Sequence, residues 1–176
     1  MFKREGRQGS GDLHEISITL NMENNIAIIP FTDGLETNFA ALNKAWLKKY
    51  FEVEPLDEKM LGNPKLYYID EGGFIYFATF NNEIAGTIAL LKVTDKIFEL
   101  SKMAVYEKYQ GKSIGNKMIE FCLQEAKRMS LEKIILYSNT SLRPAIHLYE
   151  KFGFKAVPDF TSEYKRANIK MEIEIK

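Results

Sequence analysis

Apolar positions along the chain change their period several times, and each change marks an element. From Ile26 to Ile29 the residues are continuously apolar, a short strand that Pro30 and Asp33-Gly34 bring to an end. Leu35, Phe39, Leu42, Trp46 and Tyr50 then recur at helical spacing, which predicts an amphipathic helix over 35–51 with Asp33 placed to cap it. Glu54 to Leu61 reads as a second, short helix, with Pro55 in its first turn and Gly62 beyond its end. Phe74–Phe80, Ile84–Val93 and Ile97–Val105 are rich in aromatic and β-branched residues, and Asn81-Asn82 and Thr94-Asp95 stand where hairpin turns belong.

The period then returns to that of a helix. Ile114, Met118, Phe121, Cys122, Ala126 and Met129 share a face of a helix that begins near Ser113 and runs to about Met129. Ile134–Tyr137 is a buried strand, and Pro144 opens a helix on which Ala145, Leu148, Tyr149 and Phe152 share a face before Gly153 ends it. Phe154–Val157 is extended, and Ile169, Met171, Ile173 and Ile175 alternate with charged residues as in a strand with one wet face. The order of elements predicts an α/β chain (α+β, mixed sheet): a mostly antiparallel twisted sheet with helices on both faces over 25–176. Residues 1–24, polar and bearing three early glycines, read as a flexible arm.

Composition narrows the function classes. Lysine plus arginine and aspartate plus glutamate number 24 each, so no excess positive charge exists to drive binding along a nucleic acid backbone. No apolar run approaches the roughly 18 residues that span a bilayer, and the N-terminus lacks an apolar signal core, which together suggest a cytoplasmic protein without a membrane partner. The single cysteine, Cys122, can form neither an internal disulfide nor a thiolate metal site. His14 and His147 lack partners at metal-ligand spacing, and no metal is expected.

The segment with the clearest chemistry is Gln110-Gly111-Lys112-Ser113-Ile114-Gly115, between a strand and a helix start. Backbone N–H groups in a small-residue turn that opens a helix have no intrahelical acceptors and carry the positive end of the helix dipole, so such a turn suits a pyrophosphate. A turn that merely starts a helix is the plain alternative. A Walker A loop fails on spacing, because the glycine it needs five residues before Gly111 is Tyr106.

Glu99 through Gly115 resembles motif A of the GNAT superfamily of N-acetyltransferases, Gln/Arg-x-x-Gly-x-Gly/Ala, with Ser113 standing at the first glycine. Asn139, followed by Ala145 and Leu148 to Phe154, resembles motif B of the same superfamily. The resemblance, which spans about residues 25–175, implies the GNAT fold, with a splayed cleft that binds acetyl-CoA, and transfer of the acetyl group to a primary amine. It also implies roles for particular residues. Met103, Ala104 and Val105 would pair with the pantetheine arm, Gln110, Gly111, Lys112, Ser113, Ile114 and Gly115 would hold the pyrophosphate, and Asn139 would bond the pantetheine or the acceptor end. A homodimer is a further expectation of the family.

Attack on a thioester requires a free amine, and freeing a lysine-like amine at neutral pH costs about 4 kcal/mol. Glu99 stands where many family members place the base, and the odd positions from Ile97 to Val105 put it on one face with Met103 and Val105. By the same resemblance Tyr149 would face the sulfur and act as the acid, with a core aromatic on the inner face of its helix as the plain alternative. From Tyr50 to Leu100 nine acidic residues face four basic ones, and from Ser101 to Lys133 seven basic face four acidic, a weak hint of a cationic acceptor. The alternative class is a non-catalytic CoA-binding or protein-interaction module with the same fold, a reading that Ser113 keeps open.

Overall fold

The computed structural model describes residues 25–176, so the arm expected over 1–24 lies outside the described residues. Strand β1 (Ile26–Pro30) leads to helix α1 (Glu36–Tyr50), helix α2 (Pro55–Gly62) and a π-helical turn at Lys65–Ile69. The strands β2 (Phe74–Phe80), β3 (Glu83–Lys92) and β4 (Ile97–Val105) follow, then α3 (Ile114–Arg128), β5 (Lys133–Ser138), α4 (Arg143–Lys151), β6 (Lys155–Val157) and β7 (Ile169–Glu174). They form one seven-stranded sheet in the order β1-β2-β3-β4-β5-β7-β6, antiparallel throughout except between β4 and β5.

Local chemistry accounts for most of these boundaries. Asn81 and Asn82 both hold positive φ, 50° and 67°, as the two central residues of a tight hairpin must when its twist matches that of the strands. Glu54 and Asp57 close a capping box at the start of α2. Asp33 does not cap α1: Leu35 holds the N-cap position without a side-chain bond, and the Glu36 carboxylate accepts the N–H of Gly34 at 2.8 Å instead. The helical turn at Lys65–Ile69 has no counterpart in the apolar periodicity, because only Tyr68 of its residues is buried.

Side chains divide between two cores, one on each face of the sheet. Along β2 and β3, Tyr76, Ala78, Ile88 and Leu90 pack with Met118, Ile119, Cys122 and Tyr149 of α3 and α4, whereas Ile75, Phe77 and Ala89 pack with Phe39, Leu42 and Leu61 of α1 and α2. Each fully buried leucine or phenylalanine contributes about 1.5–3 kcal/mol through removal of apolar area from water. Because β2 and β3 are covered on both faces, their interiors are nearly all apolar, with Thr79 and Thr87 the buried polar exceptions, and do not alternate.

Two irregularities shape the middle of the sheet. β4 and β5 pair over three positions only, Ile97 with Lys133, Phe98 with Ile134 and Glu99 with Ile135; beyond them β4 continues along β3 and β5 along β7, and a cleft opens between the two strands. At the mouth of that cleft the register of β3 against β4 shifts, so that Ala89 pairs with Lys102 and Leu90 with Leu100, leaving Ser101 as the extra residue of a bulge.

Candidate active site

The bulge at Ser101 overturns the assignment of Glu99, Met103 and Val105 to one face. Before it, Phe98 and Leu100 belong to the core under α3, and Glu99 is opposite Leu91, which packs on the α1–α2 side. After it, Ala104 belongs to the α1–α2 core, and Met103 and Val105 pack toward α3. One inserted residue reverses the alternation, which strict parity cannot anticipate. Glu99, Ser101 and Lys102 thereby come to the α1–α2 side, where the Tyr68 and Ser101 hydroxyl oxygens lie 3.2 Å apart.

A groove runs from the end of β4 to the start of α3, floored by Met103, Ala104 and Val105 and bounded by Gln110, Gly111 and Ser113 on one side and Leu142 and Ala145 on the other. Gly111 (φ 76°) and Ser113 (φ 62°) both adopt left-handed backbone conformations. That geometry explains why the motif has glycine where this chain has serine: a side chain there costs about 1–2 kcal/mol. The Ser113 side chain does not cap α3, because a capping side chain needs extended backbone and this one is left-handed. The first backbone bond of α3 runs from Lys117 N to Ser113 O, and among the described residues the N–H groups of Gly111 to Asn116 have no protein acceptor. A run of unpaired N–H groups at a helix start, folded through left-handed residues, is a concave anion cradle.

Gln110 and Asn139 line the cleft with their side chains already engaged, and Lys112 turns aside. The Gln110 side chain donates to Val105 O at 3.3 Å and braces the loop on the strand. Lys112 lies with its ammonium 5.1 Å from the centre of the Phe80 ring, away from the groove lining. The Asn139 amide is engaged at both ends, its Nδ2 donating to Arg166 O at 2.6 Å and its Oδ1 accepting the N–H of Ser141 at 2.9 Å.

At its inner end the groove meets a second hollow between β4 and β5, and Trp46, Met103, Leu142 and Ala145 line both. Glu99 and Tyr149 both line this inner hollow. Burial pushes the Glu99 carboxyl above its usual range, with the Lys102 charge pulling the other way. Burial alone pushes the Tyr149 phenol up to about 12. Cys122 is buried in the α3 core, where desolvation suppresses the thiolate. Among the described residues no group of three His, Cys, Asp or Glu side chains is arranged to hold a metal ion, and no helix is long and apolar enough to cross a membrane.

The sequence reading missed several lining residues. Trp46 and Tyr50 lie on the expected stripe of α1, but the buried face is Phe39, Leu42, Asn43 and Leu47, so the two aromatics turn toward the groove. Lys102 carried a signal, a lysine at a buried position of an apolar strand. Tyr164 and Arg166 carried none, since their connection has no periodic pattern.

The sequence profile of the acetyltransferase (GNAT) family matches residues 39–154. The chain is 30% identical over 105 residues to the uncharacterized N-acetyltransferase YvbK of Bacillus subtilis, covering 58% of this chain and 68% of that protein. Among solved structures, an acetyltransferase of the GNAT family from Staphylococcus aureus superposes with a TM-score of 0.77 at 21% identity, over 86% of this chain and all (100%) of that one. A GNAT family acetyltransferase from Elizabethkingia anophelis, solved with acetyl-CoA bound, superposes with a TM-score of 0.58 at 25% identity, over 85% of this chain and 98% of that one.

Proposed function

Since this chain belongs to the GNAT family of acetyltransferases, we propose that it moves the acetyl group of acetyl-CoA to a primary amine by direct attack, with donor and acceptor bound together. The observation that carries this reading is the continuity between a cradle of unpaired N–H groups at the head of α3 and a hollow lined by Glu99 and Tyr149. The groove fits the donor chemically. Its N–H cradle suits a pyrophosphate, and the free edge of β4 beyond Glu99 offers backbone groups to an amide-bearing arm that loses its water on entry.

When bound, acetyl-CoA supplies a thioester whose C–S bond breaks as the amine nitrogen forms the new C–N bond. Glu99 accepts the proton that the attacking amine sheds, directly or through one water, and its raised pKa makes it a stronger base than an exposed carboxylate. Tyr149 donates a hydrogen bond to the sulfur as negative charge develops there. Complete transfer from a phenol near 12 to a thiolate of ordinary basicity is uphill by about 5 kcal/mol, so most of the benefit comes from that hydrogen bond, and the sulfur takes its final proton as solvent re-enters. Cys122 has no part in an acyl-enzyme, because it is buried away from the cleft.

The acceptor side is lined by carboxylate and phenol groups, Glu99, Glu163, Tyr137 and Tyr164, which suits an acceptor with cationic character. Incubation with acetyl-CoA and a panel of amines, peptides and aminoglycosides, with free thiol monitored, tests the whole reading. Amine-dependent thiol release is the expected result; donor binding without release on any acceptor would instead favour a non-catalytic CoA-binding module.

A further inference from the structure

Residues 158–168, between β6 and β7, contain no helix or strand, yet they are fastened at both ends of a short stretch. The Glu54 carboxylate accepts the N–H groups of Lys165 and Arg166 at 3.1 and 3.3 Å. The Arg166 guanidinium then forks onto Asp57 at 2.7 and 2.9 Å and reaches Glu54 at 3.1 Å. On the far side Arg166 O accepts the Asn139 amide, and the N–H of Asn168 donates to Ser138 O at 3.0 Å. The stretch therefore bridges α2 on one bank of the cleft and the end of β5 on the other.

The charges that hold it are matched, and two of them are buried. Asp57 is fully buried and Lys102 is 6% exposed, with Lys102 Nζ donating to Asp57 Oδ1 at 3.1 Å and to Tyr164 Oη at 2.9 Å. Asp57 and Glu54 neutralise Lys102 and Arg166, so neither cation is left to receive a substrate anion. What the arrangement does accomplish is to fix Tyr164. Both cations lie close to its ring, Lys102 Nζ 4.4 Å from the ring centre and the Arg166 guanidinium carbon 4.3 Å from it, and its hydroxyl donates to Met60 Sδ at 3.5 Å. Tyr164, with Glu99 and Tyr137, lines both the inner hollow and the outer one that opens to solvent.

We propose that Arg166 is a latch: by gripping Asp57 and Glu54 it holds Tyr164 as the wall between the inner hollow and solvent, which restricts what reaches the acyl group. Arg166 is a positioning residue, and Tyr164 is the residue that selects the acceptor. The inference rests on the acetyl-transfer reading for its functional consequence, and on geometry alone for the latch itself.

The test compares full-length wild type, Arg166→Met, Arg166→Lys and Tyr164→Leu by three measurements: hydrogen exchange across 158–168, calorimetric affinity for acetyl-CoA, and thiol release from acetyl-CoA with no amine present. The latch predicts at least tenfold faster exchange of the segment in Arg166→Met. It also predicts about fivefold or greater water-driven thiol release with acetyl-CoA affinity unchanged, and intermediate values for Arg166→Lys, which keeps the charge and loses the fork. Tyr164→Leu, which leaves the ion pairs in place, is expected to raise thiol release without raising exchange, and it decides the wall role even if Arg166→Met does not fold. Unchanged exchange and unchanged thiol release in folded Arg166 variants would overturn the latch. If wild type itself fails to bind acetyl-CoA, the acetyl-transfer reading falls, and the exchange contrast still decides whether Arg166 holds the segment.

Discussion

Glu99 and Met103, four residues apart on one strand, point to opposite faces of the sheet, and both line the same cleft. The extra residue at Ser101 produces this result. Without it, Glu99 and Met103 would share a face, and the carboxylate would compete with the donor arm for one side of β4. With it, in the reaction we propose, one strand serves two partners, the donor along its free edge and the acceptor at its α1–α2 face.

Tyr149→Phe removes a buried hydroxyl and keeps the ring against Phe154, so the fold is expected to survive. Turnover should fall by about a hundredfold, the usual scale for one positioned hydrogen-bond donor at a developing anion, while acetyl-CoA affinity stays nearly constant. Equal losses in both, measured by steady-state kinetics and calorimetry, would remove Tyr149 from the chemistry.

Glu99→Gln should abolish the acid limb that an ionising base gives to kcat/KM, a limb centred above the ordinary 4.5 because burial disfavours the carboxylate. The same raised value fixes the sign of a stability effect. A carboxyl whose folded pKa exceeds its unfolded one favours the native state while protonated, and it disfavours that state once pH has risen past both values. At neutral pH the glutamine variant is therefore expected to melt higher than wild type while acetylating more slowly; a lower Tm would contradict this account.

Gly111→Val tests the cradle. A Cβ at Gly111 meets nothing within 4 Å, so the substitution acts through the backbone, whose φ of 76° is costly for a branched residue by about 1–2 kcal/mol. The turn should relax away from its concave form and acetyl-CoA affinity should drop about tenfold, read by titration calorimetry, with global stability little changed.

Asp57→Ala leaves the buried Lys102 without its ion-pair partner and Arg166 with Glu54 alone, a change that typically costs about 3–5 kcal/mol. Asp57 also makes the pH window explicit. Its own burial opposes ionisation, but Arg166 and Lys102 more than offset that and hold its pKa below 3.8. Its stabilising effect is therefore complete above that value and lost as pH falls through the lower folded one. The difference in urea midpoint between wild type and Asp57→Asn should be constant above about pH 5 and shrink at more acidic pH; a difference that grows on acidification would reverse the assignment.

The sequence by itself determined every strand and all four long helices to within two or three residues, because apolar period, turn residues and prolines act locally. Motif A was legible for the same reason: the unpaired amides at the head of α3 follow from where a small-residue turn meets a helix start. The bulge at Ser101 was not legible, since a strand with one inserted residue has the same composition as one without it. Nor was the ion-pair cluster around Tyr164, because Asp57, Lys102, Tyr164 and Arg166 meet only after the sheet has brought together α2, β4 and a connection with no period of its own. Local rules place backbone groups, whereas matched charges buried from distant segments are a decision of the tertiary structure alone.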